Sequence, residues 1–164
     1  MVTIRKIPQT GLRIQAKMET PHRVKVQAGN KVIKLDMPEL LGGTHKGMMP
    51  LEALIAAYAG SLNVVGNFVA HTTDFDLRAW EFTIWAEFDP SGIWGLEEVT
   101  KPIHVVHIRA RVVTPESERR LKLLRKEMKK RDPIHNILKN CGVRFKEEWE
   151  RIEPEKSATK RKKQ

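Results

Sequence analysis

The chain has 164 residues, a formal net charge of +10, 40% apolar and 6% aromatic residues, and one cysteine, Cys141. This length is sufficient for one domain with its own apolar core, which we predict for residues 1–150, and the composition of residues 151–164 predicts a basic disordered tail. A single cysteine excludes an intrachain disulfide and a multi-cysteine zinc site, and the lack of an apolar leader in the first residues predicts a cytoplasmic protein.

The positive charge is concentrated in two segments. Residues 115–131 contain eight Lys or Arg against three Glu, and residues 154–164 contain five against one. Segments of this kind contact phosphates in nucleic-acid-binding proteins, and in other proteins they form a solvated surface. Nucleic acid therefore stays open as a partner, through the basic segment and the tail.

The N-terminal third of the chain predicts a β-meander. Leu12, Ile14 and Met18 alternate with polar residues, which is the pattern of a strand with one dry face. Two further short strands are predicted at residues 23–28 and 31–36. They are separated by the pair Gly29-Asn30, which suits a tight hairpin turn.

The apolar period changes at residues 50–71, where we predict a helix. Pro50 suits the first helical position, and Glu52 is an acid in the first turn. No charged residue occurs from residue 53 to residue 70, a length at the lower limit of a membrane span. We expect no membrane association, because Asn63, Asn67, Ser61 and the two glycines of the stretch dilute the apolarity. A helix of this composition is instead buried on nearly every side, in part by a second subunit.

Five elements are predicted in the rest of the chain. They are strands at residues 77–89 and 103–113, an exposed amphipathic helix at 115–130, a short helix at 134–139 and a last strand at 143–149. Ser117 or Thr114 is available to cap the amphipathic helix.

Two motifs in this order of elements resemble those of the OsmC/Ohr family, the osmotically inducible and organic hydroperoxide resistance proteins. The first is LGGTHKGMMPLEALIAAYAGSL at residues 41–62, and the second is DPIHNIL at residues 132–138. In the family each motif carries a redox cysteine, and here those positions hold Ser61 and Asp132. The resemblance extends over roughly residues 12–150.

The resemblance implies an α+β fold in which an antiparallel sheet wraps around a long buried central helix, in an intertwined homodimer. It also implies a stress-related organic hydroperoxide reductase, in which one thiolate attacks the peroxide and the second cysteine resolves it as a disulfide. Ser61 and Asp132 cannot perform these steps, because peroxide reduction needs a thiolate and a disulfide needs two sulfurs. We therefore expect the family's two-cysteine chemistry to be absent.

The resemblance also suggests candidate site residues. The catalytic positions are Ser61, Asp132 and Glu52, the ligand-binding positions are Tyr58, Phe68 and His135, and the arginine that organises the family site is either Arg13 or Arg23. A site that keeps its apolar pocket without its thiols would bind a small apolar or oxidised molecule in the cleft between subunits. No cofactor is expected.

Two alternatives come from individual residues. Cys141 could serve as a displaced peroxidatic thiol, and Ser61, Asp132 and His135 could form a hydrolase triad. A metal site is not supported, because His104 and His107 lie three residues apart in a predicted strand and would face opposite sides. His45, in the loop of the first motif, is better explained as a solvated residue.

Overall fold

The computed structural model describes residues 9–155, which form two compact units. The first unit extends to Leu54 and the second begins at Ile55. The predicted tail lies outside the described residues from position 156 onward. The last strand extends to Ile152, two residues past the predicted end of the domain.

The first unit contains a three-stranded antiparallel meander, as predicted. Its strands are β1 (Gln15–Thr20), β2 (Arg23–Ala28) and β3 (Lys31–Leu35), paired in chain order. Gly29 adopts a φ of 57° in the turn between β2 and β3, a value that favours glycine.

The predicted dry face of β1 is wrong for the single chain. The strand begins at Gln15, so Leu12 and Ile14 precede it, and both residues are exposed together with Met18. The alternation identifies which face of a strand is apolar, but it does not say what covers that face. Among the described residues of this unit there is no second layer to cover it.

Helix α1 (Pro50–Thr72) is the long helix that the sequence predicts. Glu52 accepts a hydrogen bond from the Met49 backbone N–H at 2.9 Å, as the third residue of a helix does in a capping box. Within the single chain the helix is buried along one stripe, not on nearly every side as predicted. That stripe consists of Tyr58, Leu62, Gly66, Val69 and Ala70.

The exposed side of α1 carries Val64 and Phe68, and Leu54, one turn before Tyr58, is also exposed. By length and composition, α1 could cross a membrane, and it is the only helix in residues 9–155 that could. Its buried stripe packs on neighbouring elements of the second unit, since Gly66 contacts Trp80 and Met128. The helix is therefore not a convincing membrane span.

The second unit builds a mixed sheet with helices on one face. Its strands are β4 (Ala79–Phe88), β5 (Ile103–Val113) and β6 (Arg144–Ile152), with β5 in the centre. β4 and β5 are antiparallel, whereas β5 and β6 are parallel, so the expected antiparallel sheet is only partly antiparallel here. A parallel pair requires a crossover, and two helices provide it.

The crossover consists of α2 (Glu118–Arg131) and α3 (Pro133–Asn140). Ser117 caps α2 by accepting from the Arg120 backbone N–H, and Pro133 occupies the first turn of α3. The core of the unit comes from these helices, from α1 and from the central strand. It includes Leu62, Val69, Val105, Val106, Ile108, Ala110, Val112, Leu121, Leu124, Met128 and Leu138.

Candidate functional site

Ser61 and Asp132, the positions of the two missing sulfurs, are directly hydrogen-bonded. The Ser61 hydroxyl donates to Asp132 Oδ1 at 2.9 Å, although the residues are 71 apart in sequence. Ser61 lies on α1, and Asp132 lies between α2 and α3 with 0% of its surface exposed. The fold therefore brings together the two motif positions that carry cysteine in the family.

Asp132 also caps α3. Its Oδ1 accepts a second bond from the His135 backbone N–H at 2.8 Å, so one carboxyl oxygen satisfies both the serine and the helix terminus. The other oxygen, Oδ2, is buried and has no hydrogen-bond partner among residues 9–155. One oxygen of this buried carboxyl group thus accepts two hydrogen bonds and the other accepts none, which is unusual for a buried polar group.

Tyr58 and His135 form a second buried pair beside the first. The Tyr58 hydroxyl lies 3.0 Å from His135 Nδ1. Burial lowers the pKa of His135, and Lys129 and Lys139 lower it further against the opposing effect of Glu147 and Asp132. In the neutral tautomer whose proton is on Nε2, Nδ1 accepts the hydrogen bond from the Tyr58 hydroxyl. Burial, with the nearby Glu147 and Asp132, raises the pKa of Tyr58 and keeps its proton in place.

This arrangement does not provide the relay of a serine hydrolase. Among the hydrogen bonds of the described residues, Ser61 donates directly to Asp132 and His135 is engaged by Tyr58. A triad needs the histidine between the serine and the acid. Here the histidine lies beside the serine and acid pair.

Glu147 is a functional candidate that the sequence interpretation missed. Its side chain, on β6, is only 6% exposed and pairs with Arg125 Nη2 and Lys129 Nζ, each at 3.0 Å. Burial raises its pKa, but the bonds from Lys129 and Arg125 outweigh that effect and hold the pKa below its usual value. Alternation in the last strand could have revealed it, because Glu147 lies between Phe145 and Trp149 on the inward side.

These groups line a small cavity of about 10 Å³. The cavity lies within the second unit and is too small for an apolar ligand. Its lining consists of Tyr58, Leu62, Ile108, Arg125, Met128, Lys129, Asp132, His135, Glu147 and Trp149.

The other predicted site residues lie elsewhere. Phe68 is ten residues beyond Tyr58 on α1, about 15 Å along the helix axis, and is 62% exposed. Arg23 donates to the Thr44 hydroxyl at 2.7 Å, so it holds the Gly-Gly-Thr loop, whereas Arg13 lies on an exposed groove. Arg23 is therefore an arginine that holds a residue of the first motif.

The Gly-Gly-Thr loop folds around a buried acid, Asp36, that the sequence interpretation missed. Its carboxylate accepts four bonds, from the backbone N–H groups of Met37, Thr44 and Lys46 and from the Thr44 hydroxyl. Burial raises the pKa of Asp36, but these bonds outweigh it and hold the pKa far below its usual range. Gly43 is required here, because a Cβ would lie 1.8 Å from the Met37 carbonyl oxygen.

Cys141 is exposed at the C-terminal end of α3. It lies about 12 Å along the helix axis from the Asp132 end, and its backbone N–H bonds to the Ile137 carbonyl. The thiol is therefore outside the pair that occupies the two sulfur positions.

The histidines of β5 bond separately. His107 Nε2 lies 2.6 Å from Glu87 and its ring stacks on Trp85, whereas His104 Nδ1 contacts the Lys101 carbonyl. No cluster of three or more His, Cys, Asp or Glu side chains suited to a metal occurs within residues 9–155.

The basic face of α2 is mostly neutralised within the protein. Five of its eight cations form ion pairs, with Glu116, Glu127 or Glu147. Arg119, Lys122 and Lys126 form none with the described residues, and their spacing puts them on one exposed stripe. Nucleic-acid binding stays a prediction, and most of the basic tail lies outside the described chain.

Comparison with known proteins agrees with this fold and these motifs. The family model for OsmC-like proteins matches residues 43–148, from the Gly-Gly-Thr loop to β6. No curated protein matches the chain.

Three solved structures illustrate the likeness of the fold. The OsmC-like protein of Mycoplasma pneumoniae superposes with a TM-score of 0.75 at 18% identity, over 88% of this chain and 99% of its own. The organic hydroperoxide resistance protein OsmC of Legionella pneumophila gives 0.68 at 18%, over 88% and 99%. The organic hydroperoxide resistance protein of Elizabethkingia anophelis gives 0.67 at 14%, over 90% and 100%.

The matched region contains Ser61, Asp132 and Glu147, and the cavity residue Trp149 follows directly after it. It also accounts for most of the chain and follows the order of elements found in both units. The chain belongs to the family of OsmC-like proteins.

Proposed function

We propose that this protein is a homodimeric, stress-related OsmC/Ohr-like protein that lacks two-cysteine peroxidase chemistry. It binds a small apolar or oxidised molecule in the cleft between subunits. The observation that carries the proposal is the hydrogen bond of 2.9 Å from Ser61 to Asp132, which joins the two positions where the family has sulfur. A cytoplasmic location fits a chain with one cysteine.

The chemistry of the pair supports the loss of activity. A peroxidatic centre needs a populated thiolate, and a serine hydroxyl is barely ionised near neutral pH. The Ser61 proton is also directed at Asp132, so the hydroxyl is already engaged as a donor. Neither side chain can be oxidised by a peroxide and then reduced to its original form by a dithiol.

The ligand cleft requires a second subunit. The cavity beside Ser61 holds about 10 Å³, so a ligand larger than a few atoms must bind outside it. The exposed side of α1 offers Val64 and Phe68, which a second copy would cover. The cleft would form between those surfaces, with Phe68 at its apolar wall and Tyr58 and His135 behind it.

A peroxide assay tests the enzymatic part of the proposal. With an organic hydroperoxide and a dithiol reductant, we expect consumption no faster than in the protein-free reaction. The Legionella pneumophila relative serves as the positive control. Robust turnover that survives Cys141→Ser would refute the proposal.

The same assay separates the alternatives. Turnover that disappears in Cys141→Ser would assign a peroxidase to that thiol. Hydrolysis of a simple aryl ester that disappears in Ser61→Ala would instead assign a hydrolase. Either result would mean that the protein is an enzyme and that the proposed binding function is wrong.

A charge on the exposed side of α1 tests the dimer. Val64 is 67% exposed in the single chain, so Val64→Glu should leave the protomer folded. In a dimer that covers this side, the unpaired charge would be buried, and we expect dimerisation to weaken roughly 100-fold. Sedimentation equilibrium measures this change.

The matched control for this variant is Leu123→Glu. Leu123 is 51% exposed on a different helix, α2, and its replacement should leave the dimer intact. If the natural protein is monomeric at all concentrations, or if both variants weaken it equally, the proposed interface is wrong.

A further inference from the structure

The cavity beside Ser61 and Asp132 collects every unpaired buried polar side-chain atom found in residues 9–155. There are three such atoms, Arg125 Nε, Asp132 Oδ2 and Trp149 Nε1. All three residues line this one cavity. A buried polar group without a partner costs roughly 1–3 kcal/mol, so three in one place point to a missing common partner.

The hydrogen-bonding character of the atoms restricts that partner. Arg125 Nε and Trp149 Nε1 are donors only, whereas Asp132 Oδ2 accepts. The partner must therefore accept at least one bond and donate at least one. A halide or a bare metal cation fails this requirement, because neither can do both.

The charge and size of the cavity restrict it further. The cationic side chains of Arg125 and Lys129 face the acidic side chains of Glu147 and Asp132, so the lining favours a neutral molecule over an ion. A volume of about 10 Å³ accommodates a single water molecule and little more.

We infer that this cavity is a binding site for one water molecule. The water accepts from Arg125 Nε and Trp149 Nε1 and donates to Asp132 Oδ2, which gives it the three bonds typical of a buried water. It satisfies the carboxyl oxygen that Ser61 and His135 leave unused. The inference depends on the cavity of one chain and is independent of the dimer and of the proposed function.

The bound water also defines what else can reach Asp132. A ligand that approaches this carboxyl group must displace the water and replace its bonds, which selects for a neutral protic group such as a hydroxyl. An anionic group would meet Glu147 and Asp132 at the same time. Asp132 is thus disfavoured as a contact for anionic ligands by the same network that holds the water.

The indole proton of Trp149 provides the test, and Trp80 is its internal control. Trp80 Nε1 already donates to Asn63 Oδ1 at 2.9 Å, so its indole has a protein partner. In protein labelled with ¹⁵N-tryptophan, we expect the Trp149 indole proton to show cross-peaks to water of opposite sign in NOE and ROE spectra. The Trp80 indole proton, whose bond to Asn63 lies at the surface, should show no pair of peaks of opposite sign.

The signals are assigned with Trp149→Phe. If that variant does not fold, Trp80→Phe, Trp85→Phe and Trp94→Phe assign the fourth signal by elimination. Peaks of equal sign would report exchange with bulk solvent and would overturn the inference, as would the absence of any water peak at Trp149. A crystal structure with density within hydrogen-bond distance of both Asp132 Oδ2 and Trp149 Nε1 would support it independently.

Discussion

A double substitution, Ser61→Cys with Asp132→Cys, should form a disulfide under mild oxidant and strongly stabilise the fold. The two side chains are already in contact, at 2.9 Å between Ser61 Oγ and Asp132 Oδ1. The bond would close a loop of about 71 residues, and the chain-entropy model gives about 4 kcal/mol for a loop of that length. The oxidised form should therefore unfold at markedly higher urea than the reduced form.

The comparison of oxidised with reduced protein isolates the crosslink. Both forms lack the Asp132 cap on α3, whose loss costs about 1 kcal/mol relative to the natural protein. The reduced variant should thus be less stable than the natural chain, and the oxidised variant more stable. Urea unfolding with and without reductant, combined with a thiol count, measures each step.

A mismatched pair controls for nonspecific oxidation. Ser61→Cys with Lys139→Cys places the second thiol at the exposed far end of α3, and that pair should stay reduced. Both pairs are best made in a Cys141→Ser background, since Cys141 is exposed and would compete. If the thiols at positions 61 and 132 stay free, the two motifs do not meet in solution as the structure has them.

The order of elements was predictable because it depends on local signals. Pro50 and the uncharged residues that follow it predict α1. Ser117, which caps α2, is one of the two residues that the sequence offers as its cap. The pairing of positions 61 and 132 was predictable for a different reason. It followed from the family resemblance, since two cysteines that form a disulfide must be neighbours.

The coverage of apolar faces could not be predicted from the pattern. Leu12, Ile14 and Met18 alternate as a buried strand would, and α1 is apolar almost throughout, yet in the single chain much of this surface is exposed. Periodicity reports that a face is apolar, and the element that packs on it comes from elsewhere in the molecule or from a second copy. The same signal therefore fits a core and an interface.

The polar cluster around Glu147 depends on long-range register. Glu147 meets Arg125 and Lys129 because β6 runs parallel to β5 and returns along the sheet beneath α2. Nothing local to residue 147 fixes that pairing. Asp36 is similar, because an acid after a short strand suggests a surface turn, whereas here it is buried under four hydrogen-bond donors.

Two glycines on α1 should respond to alanine in opposite directions. Gly60 has no atom within 4 Å of the position that a Cβ would take, so Gly60→Ala should stabilise the protein by about 0.5–1 kcal/mol through helix propensity. At Gly66 a Cβ would lie 1.9 Å from Trp80 Cη2 and 2.9 Å from Met128 Cε. The flexible Met128 side chain can move away from the new Cβ, but the Trp80 indole is held in its position.

The cost of Gly66→Ala follows from what holds Trp80. Its Nε1 donates to Asn63 Oδ1, one turn before Gly66 on the same helix, so a shift of the ring strains or breaks that bond. Overpacking of this kind typically costs 1–3 kcal/mol or more, and the gain in helix propensity offsets only part of it. We expect a net loss of about 2 kcal/mol, measured by urea unfolding of both variants at one protein concentration.

Trp80→Phe in the Gly66→Ala background separates this clash from a general intolerance of α1 to substitution. Phenylalanine lacks the outer ring that the new Cβ would contact, so the double variant should lose less stability than the sum of the two single variants. A coupling of 0.5–3 kcal/mol is usual for residues in contact. If Gly66→Ala is as stable as Gly60→Ala, or if the two substitutions are additive, Trp80 does not lie over Gly66, and the packing of α1 on β4 described here is incorrect.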